Sequence, residues 1–272
     1  MLGSRGISAW TGAVAITVVS GTLRTMAFPE TRLTMLHRIA ASDDETAWRQ
    51  FLSDYWRPIC LFAVRIGSLR WEDAEDVASQ TVEVIQQKDL LKRWLADPRS
   101  RFKTLICGVV RNLVSNRVRS ERTDAKLLKD YAAESVETLS QTASSEDLKA
   151  FYGIWAEELL RTAVQATMWS YHRAGRGDYF RVLYGRICDG LGNQEIANLL
   201  GIKVTDAENY FRHARQKLTE QLQAGIRREV ERDAIGDSLE ADFRHEWDQL
   251  AVYFDAHGGL EESIRRASVE TQ

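Results

Sequence analysis

Cysteine, proline and histidine are scarce in this chain of 272 residues, which contains three, three and five of them. The cysteines Cys60, Cys107 and Cys188 are odd in number, widely spaced and without neighbouring histidines, so neither a disulfide framework nor a zinc site is indicated. Reduced thiols are expected, as in a cytoplasmic protein. The chain also has no phosphate-cradling glycine-rich loop and no nucleophile signature. The sequence therefore predicts a protein that is not an enzyme and has no metal or nucleotide cofactor.

Alternating strand patterns flanked by hairpin signals are absent too, whereas runs rich in Ala, Leu, Glu and Arg are long. With 44% hydrophobic residues and a length that suits two small domains, the chain is predicted to adopt an all-α fold with a substantial core. Gly6 to Leu23 is uncharged and mildly apolar, but its Gly, Ser and Thr content argues against a membrane span. Because Met26 and Met35 are alternative starts, residues 1–30 are set apart as a segment that the working protein need not contain.

Charge is strongly segregated along the chain, although the net charge is only -3. Residues 99–122 contain seven basic residues against Glu121 alone, whereas residues 229–248 contain eight acidic residues against Arg232 and Arg244. At physiological salt, screening beyond about 8 to 10 Å isolates one patch from another. A local basic surface can therefore bind phosphates whatever the net charge of the protein.

The stretch from Asn193 to Leu222 has the pattern of a helix-turn-helix. Residues 194–200 carry apolar side chains at helical spacing, Gly201 provides a turn, and Thr205 or Asp206 can cap a second helix. In that second helix one face is apolar and the other suits the edges of bases in a major groove. The apolar face comprises Ala207, Phe211, Ala214, Leu218 and Leu222, and the polar face comprises Asn209, Arg212, Arg215 and Gln216. The alternative is an ordinary helical hairpin with a solvated polar face.

Residues 72–85 predict a helix with an acidic face. Ala74, Val77, Ala78, Thr81 and Ile85 share the apolar side, and Asp73, Asp76, Gln80 and Glu83 share the other. On the residues alone, a solvated face is the better interpretation, since acidic side chains are favoured near a helix N-terminus.

The basic segment predicts a helix from Phe102 to Arg119. Its apolar side comprises Phe102, Leu105, Ile106, Val109, Val110 and Leu113, and its polar side comprises Arg111, Asn112, Ser115, Asn116 and Arg119. Residues 94–101 are interpreted as a preceding loop, in which Trp94, Arg99 and Arg101 are able to stack on or pair with nucleotides. Trp94 is nevertheless more typical of a core.

The flanking regions complete the predicted organisation. Residues 31–63 predict two helices with a boundary or first helical turn at Pro58, and residues 123–150 are polar and acidic, as in a linker. Beyond residue 226 the chain is acidic but rich in large apolar residues, so it is expected to fold. Two interpretations stay open there: helices packed on the preceding domain, or an acidic cover over the recognition helix.

Together these motifs resemble bacterial RNA polymerase sigma factors of the small, extracytoplasmic-function type, over about residues 31 to 220. Residues 73–77 are similar to the acidic signature of sigma domain 2, and Phe102, Leu105, Arg111, Asn112 and Arg119 to its minus-ten promoter helix. Residues 195–197, 200–202, 214, 215 and 218 are similar to the helix-turn-helix of sigma domain 4. Each motif is moderately specific, and their order and separation are more so.

The resemblance implies a two-domain transcription initiation factor: sigma domain 2 in residues 31–122, a linker in 123–150, sigma domain 4 in 151–225, and a helical acidic extension in 226–272. Its implied partners are the RNA polymerase core, at the β′ clamp helices and the β flap, and promoter DNA; an anti-sigma factor is a partner that the sequence leaves open, and no membrane is involved. Polymerase-binding residues would be Asp73, Asp76, Gln80 and Glu83. DNA-binding residues would be Arg99, Arg101, Arg111, Asn112, Asn116, Arg119, Lys203, Thr205, Asn209, Arg212 and Arg215.

The chain departs from the family pattern in the recognition helix. Asp206 stands where the family often has Thr, Glu208 where Lys is common, and His213 where Arg usually precedes the Ala-Arg pair. Acidic side chains near phosphates are repulsive, which puts minus-thirty-five recognition in doubt. The alternative function is a sigma-like helix-turn-helix regulator that binds DNA without polymerase.

Overall fold

The computed structural model describes residues 34–42, 44–87, 90–96, 101–119, 136–233 and 239–269, and every regular element in these ranges is an α-helix. The all-α prediction is therefore confirmed over the described part of the chain. The N-terminal segment, residues 1–30, lies outside it. Among the described residues no helix has both the length and the apolar character needed to cross a membrane.

The chain divides into two compact units, whose described residues belong mainly to Glu30–Trp155 and to Ala156–Val230 with Leu239–Gln272. We call them the N-terminal unit and the C-terminal unit. The N-terminal unit contains α1 (Thr34–Ser42), α2 (Glu45–Gly67), α3 (Trp71–Gln87), α4 (Leu90–Ala96), α5 (Phe102–Arg119) and α6 (Val136–Gln141), and the division falls within α7 (Ser145–Arg173). The C-terminal unit continues with α8 (Gly177–Ile187), α9 (Asn193–Leu200), α10 (Val204–Asp233), α11 (Leu239–Ala256) and α12 (Gly259–Val269).

Aromatic side chains organise the core of the N-terminal unit around Phe102, the first residue of α5. Its ring lies 5.2 Å from that of Trp94, 5.8 Å from that of Tyr55 and 6.0 Å from that of Phe51. All four residues are buried, so each contributes on the order of 1.5–3 kcal/mol through removal of its side chain from water. Trp94 therefore belongs to the core. It lies in α4, so the expected loop over residues 94–101 is wrong for its first three residues.

Helix α2 is longer than expected and contains Pro58 in its interior. Asp44 caps its N-terminus by accepting hydrogen bonds from the backbone N–H groups of Thr46 and Ala47, at 2.8 and 3.1 Å. Arg38 also donates to this carboxylate, and its hydrogen bond lowers the pKa of Asp44 below the ordinary value. The boundary or first turn expected at Pro58 is thus wrong. Pro58 is itself buried, and the packing of this long helix outweighs the missing backbone donor.

The predicted linker differs from its expected form over residues 136–150. These residues form α6 and the start of α7, within the N-terminal unit, and Leu139 is fully buried. Helix α6 packs closely on α5 at Gly108, where an added Cβ would lie only 1.9 Å from the carbonyl oxygen of Leu139. The segment is polar overall, and the buried Leu139 and the small Gly108 opposite it bring this short helix into close contact with α5.

In the C-terminal unit, α10 extends well beyond the expected helix-turn-helix, to Asp233. Its far half is buried at Ile226 and Val230, and at Gly225 an added Cβ would lie 2.3 Å from Cδ1 of Leu159 in α7. The C-terminal extension folds as α11 and α12, with Phe243, Leu250, Phe254, Leu260 and Ile264 buried. Arg265 of α12 donates two hydrogen bonds to the carbonyl oxygen of Ile187, the last residue of α8, at 3.0 and 3.2 Å. The extension is therefore packed on the C-terminal unit.

Candidate nucleic-acid interface

Helices α9 and α10 form the helix-turn-helix that the sequence predicts. Gly201 ends α9 with a φ of 66°, a left-handed conformation that favours glycine, and α10 begins three residues later at Val204. The two helices pack through Ile196, Ala197 and Ala207, which are buried. At the start of α9, the Glu195 carboxylate accepts a hydrogen bond of 2.7 Å from the Gly192 N–H. Helix α9 is therefore stabilised at its start by Glu195 and ended by Gly201, and the buried contacts position α10 against it.

The N-cap of α10 is two or three positions earlier than expected. The helix starts at Val204, so Lys203 occupies the cap position rather than Thr205 or Asp206. Asp206 instead accepts a weak hydrogen bond of 3.4 Å from the Lys203 N–H, as an acidic residue in the first turn can. This local role suits an acidic residue in the first turn of the helix.

The outward face of α10 is exposed along its first three turns. Of the predicted DNA-contacting residues, Lys203, Thr205, Asn209 and Arg212 are exposed, and His213 and Gln216 beside them are exposed as well. From Thr205 to Gln216 this face extends for about 16 Å at the helical rise of 1.5 Å per residue. A helix is about 10–12 Å in diameter and fits in a major groove, about 12 Å wide, where asparagine and arginine bind the edges of adenine and guanine. The face stays exposed with α11 and α12 in place.

Glu208 is exposed and has a hydrogen-bond partner within the helix-turn-helix. Its carboxylate accepts a hydrogen bond of 3.3 Å from the side-chain amide of Asn193, whose oxygen accepts one of 2.9 Å from Arg186. The chain of contacts joins α8, α9 and α10. Glu208 therefore links the recognition helix to the rest of the helix-turn-helix.

Arg215 does not lie on the exposed face, contrary to the sequence prediction. It is half-buried, with its guanidinium 5.7 Å from the ring of Phe211, and Arg186 lies over the same ring at 4.1 Å. Burial lowers the pKa of Arg215, an effect that the charge of Glu261 in α12 opposes and that of Arg186 reinforces. The sequence could not reveal this environment, since Glu261 comes from the extension.

The polar side of α5 is also less accessible than expected. Arg111, Asn112 and Asn116 are half-buried, and so is Arg101 just before the helix. The Arg111 guanidinium lies 3.6 Å from the carboxylate of Asp147, a buried residue at the start of α7. Asp147 also accepts hydrogen bonds from the N–H and hydroxyl of Ser144. Its own N–H donates to the Ser144 hydroxyl oxygen, which completes a capping box. Arg99 and the side chain of Arg119 lie outside the described residues.

The acidic face of α3 has a cationic partner that the sequence interpretation missed. Arg117 of α5 donates to Asp73 at 2.7 Å and to Asp76 at 3.2 Å. The hydrogen bond from Arg117 lowers the pKa of Asp73. Asp73 is the better covered of the two carboxylates, whereas the side chain of Asp76 is 66% exposed. The sequence signal that could have indicated this partner is the pair of acids, Asp73 and Asp76, one helical turn apart on the same face. Gln80 and Glu83, further along that face, are half-buried.

Chemical sites of other kinds are not supported by the described residues. They contain no group of three or more His, Cys, Asp or Glu side chains that could hold a metal ion. Burial raises the pKa of Cys60 to about 11 and that of Cys107 to about 12, so both thiols stay protonated and unreactive at neutral pH. The surface with the clearest chemistry is the outward face of α10.

Comparison with known proteins identifies no relative. No family model matches the chain, and no curated protein and no solved structure matches it either.

Proposed function

We propose that this protein is a sigma factor that binds the RNA polymerase core, recognises promoter DNA and helps to melt it. The observation that carries the DNA-binding part is the exposed face of α10, where Asn209 and Arg212 follow a tight helix-turn-helix. The order of the motifs supports the rest, with an acidic helix and a basic helix preceding the helix-turn-helix in one chain. Promoter specificity would then come from α10, which reads the minus-thirty-five element as duplex.

In this proposal the N-terminal unit binds the polymerase and the minus-ten element. The exposed carboxylate of Asp76 is the group best available to a basic surface of the polymerase, such as the β′ clamp helices. Arg101, Asn112 and Asn116 of the α5 region would bind the opened strand, by retaining bases that leave the stack at a cost of a few kcal/mol. The protein acts through binding and catalyses no reaction of its own. It works where the polymerase does, in the bacterial cytoplasm.

A second candidate function is a regulator that binds duplex DNA through α9 and α10 without polymerase. Two contacts favour it: Arg117 already neutralises part of the acidic face of α3, and Arg111 is engaged with Asp147. In such a protein the N-terminal unit would be a folded scaffold rather than a docking surface. Both candidates share DNA binding by α10 and differ in the role of α3.

Co-elution with bacterial core RNA polymerase in gel filtration separates the two candidates. The sigma proposal predicts that the wild-type protein co-elutes with the core and that Asp76→Ala weakens this binding. Glu45→Ala is the matched control, because Glu45 is an exposed acid of the same unit at the start of α2. Binding by the wild type and Glu45→Ala but not by Asp76→Ala would support the sigma proposal. No binding by any of the three would leave the DNA-binding regulator as the better account.

A further inference from the structure

The turn between α7 and α8 has an exposed cationic surface that neither sequence motif includes. His172, Arg173 and Arg176 are exposed there. Arg173 donates a weak hydrogen bond of 3.4 Å to the carbonyl oxygen of Trp169, and within the described part of the chain neither arginine has an acidic partner. Arg181, one turn into α8, differs because Asp178 neutralises it at 3.1 Å. Two positive charges are therefore available to a ligand at this turn.

The backbone of this turn is well defined. The Gly175 N–H donates to the carbonyl oxygen of His172 and the Arg176 N–H to that of Tyr171, at 3.0 and 2.9 Å, which is the Schellman pattern of helix ends. Gly175 has a φ of 67°, as that pattern requires. The next helix begins at once, with the Tyr179 N–H donating to the carbonyl oxygen of Arg176 at 3.1 Å. The position of Arg176 is thus set by backbone hydrogen bonds on both sides.

A stack of three tyrosines connects the turn to the recognition helix. The ring of Tyr179 lies 5.1 Å from that of Tyr171 and 4.0 Å from that of Tyr210, with interplanar angles of 17° and 20°. His213 lies beside the same ring, at 6.1 Å. Tyr210 and His213 directly follow Asn209 and Arg212, the exposed residues of α10. The stack therefore places the turn next to the face that suits a major groove.

We propose that this turn is a clamp for the phosphate backbone of duplex DNA. Arg173 and Arg176 bind phosphates of the same duplex whose bases contact Asn209 and Arg212. The inference rests on the DNA binding by α10 that both candidate functions share. Phosphate contacts position a recognition helix without reading sequence, and arginine is well suited to them through its bidentate geometry. The Tyr171, Tyr179 and Tyr210 stack sets the distance between the clamp and the groove, because its rings pack α7, α8 and α10 against one another.

The salt dependence of DNA binding tests the clamp. Full-length protein is titrated with a short random-sequence DNA duplex, and the affinity is measured by fluorescence anisotropy at several salt concentrations. Loss of two phosphate contacts in the double variant Arg173→Ala, Arg176→Ala should lower the slope of log affinity against log salt by about 2. The matched control is Arg228→Ala, Arg244→Ala, which removes two exposed arginines from α10 and α11 of the same unit. This control should keep the wild-type slope, apart from a small effect of net charge.

Variants of Tyr179 test the role of the stack. Tyr179→Phe keeps the ring and should bind as the wild type does. In Tyr179→Ala the slope of log affinity against log salt should fall by as much as in the double arginine variant. The clamp proposal would be overturned by an unchanged slope in the double arginine variant, or by a wild type whose binding to the duplex does not depend on salt. Co-elution with core polymerase is measured on the same variants and should be unaffected, so that failure of the clamp is distinguishable from failure of the sigma proposal.

Discussion

Helices α5 and α10 carry the same kinds of polar residue at helical spacing, but among the side chains that the structure describes those on the first turns of α10 are the more exposed. Thr205, Asn209 and Arg212 of α10 are exposed, whereas Arg111 and Asn112 of α5 are half-buried. The difference lies in the surroundings of each helix. Helix α5 packs against α2, α3 and α6, while among the described residues of its own unit no helix covers the outward side of the first turns of α10. Asparagine and arginine in a helical pattern therefore indicate a polar face, but the packing around that face decides whether a ligand can reach it.

Gly108→Ala should disrupt the packing of α6 on α5 and has the largest expected effect on stability. The new Cβ would lie 1.9 Å from a backbone oxygen of α6, which cannot move without displacing the buried Leu139. We expect the free energy of unfolding to fall by roughly 1–3 kcal/mol, the usual effect of overpacking, or by more. Urea unfolding followed by circular dichroism measures the loss, and hydrogen exchange over residues 136–141 locates it.

Two other glycines are controls for this prediction. Gly225→Ala places its Cβ against Cδ1 of Leu159, the end of a flexible side chain, so the loss should be smaller. At Gly177 an added Cβ meets nothing within 4 Å, and Gly177→Ala should be neutral or slightly stabilising. Equal unfolding midpoints for the Gly108 and Gly177 variants would contradict the close packing of α6 on α5.

The variants Arg212→Ala and Arg111→Ala compare the contributions of α10 and α5 to DNA binding. Arg212→Ala should weaken binding to a preferred duplex by about 1–3 kcal/mol and relax base preference at one position, with stability unchanged. Arg111→Ala should leave DNA binding by the folded protein nearly unchanged. It should lower stability by about 1 kcal/mol, because the buried carboxylate of Asp147 loses its cation but keeps its hydrogen bonds from Ser144.

Duplex selection from a random library, followed by anisotropy and urea unfolding, measures both properties for each variant. A large loss of DNA affinity in Arg111→Ala without a loss of stability would reverse the assignment of the two helices. It would assign to Arg111 of α5 the direct contact with duplex DNA that its sequence pattern favours.

Local periodicity predicted which side of each helix is buried, because that property depends on residues three and four apart. The apolar side of α3 (Ala74, Val77, Ala78, Thr81 and Ile85) is buried as predicted, and so is that of α5. The environments of Arg111, Arg117 and Arg215 were not predictable in this way. Their partners Asp147, Asp73 and Glu261 come from distant parts of the chain, and Arg117 and Asp73 are 44 residues apart. A basic residue in a helical pattern gives no indication of which acid the fold will bring to it.

Arg117→Ala gives the smallest expected effect and one that depends on pH. The hydrogen bond from Arg117 holds the pKa of Asp73 below its ordinary value of about 3.9, so the pair stabilises the folded protein above that pH. The contribution is lost as the pH falls through the folded-state pKa, where Asp73 becomes protonated in both states. Wild type should thus be more stable than Arg117→Ala at neutral pH, and the difference should shrink in acid.

Arg49→Ala, which removes a cation from an exposed pair with Glu45, is the control and should give a small difference across the same range. Thermal unfolding from neutral pH to below about pH 3 measures these differences, and a constant difference between wild type and Arg117→Ala would mean that Arg117 acts by packing rather than by its charge.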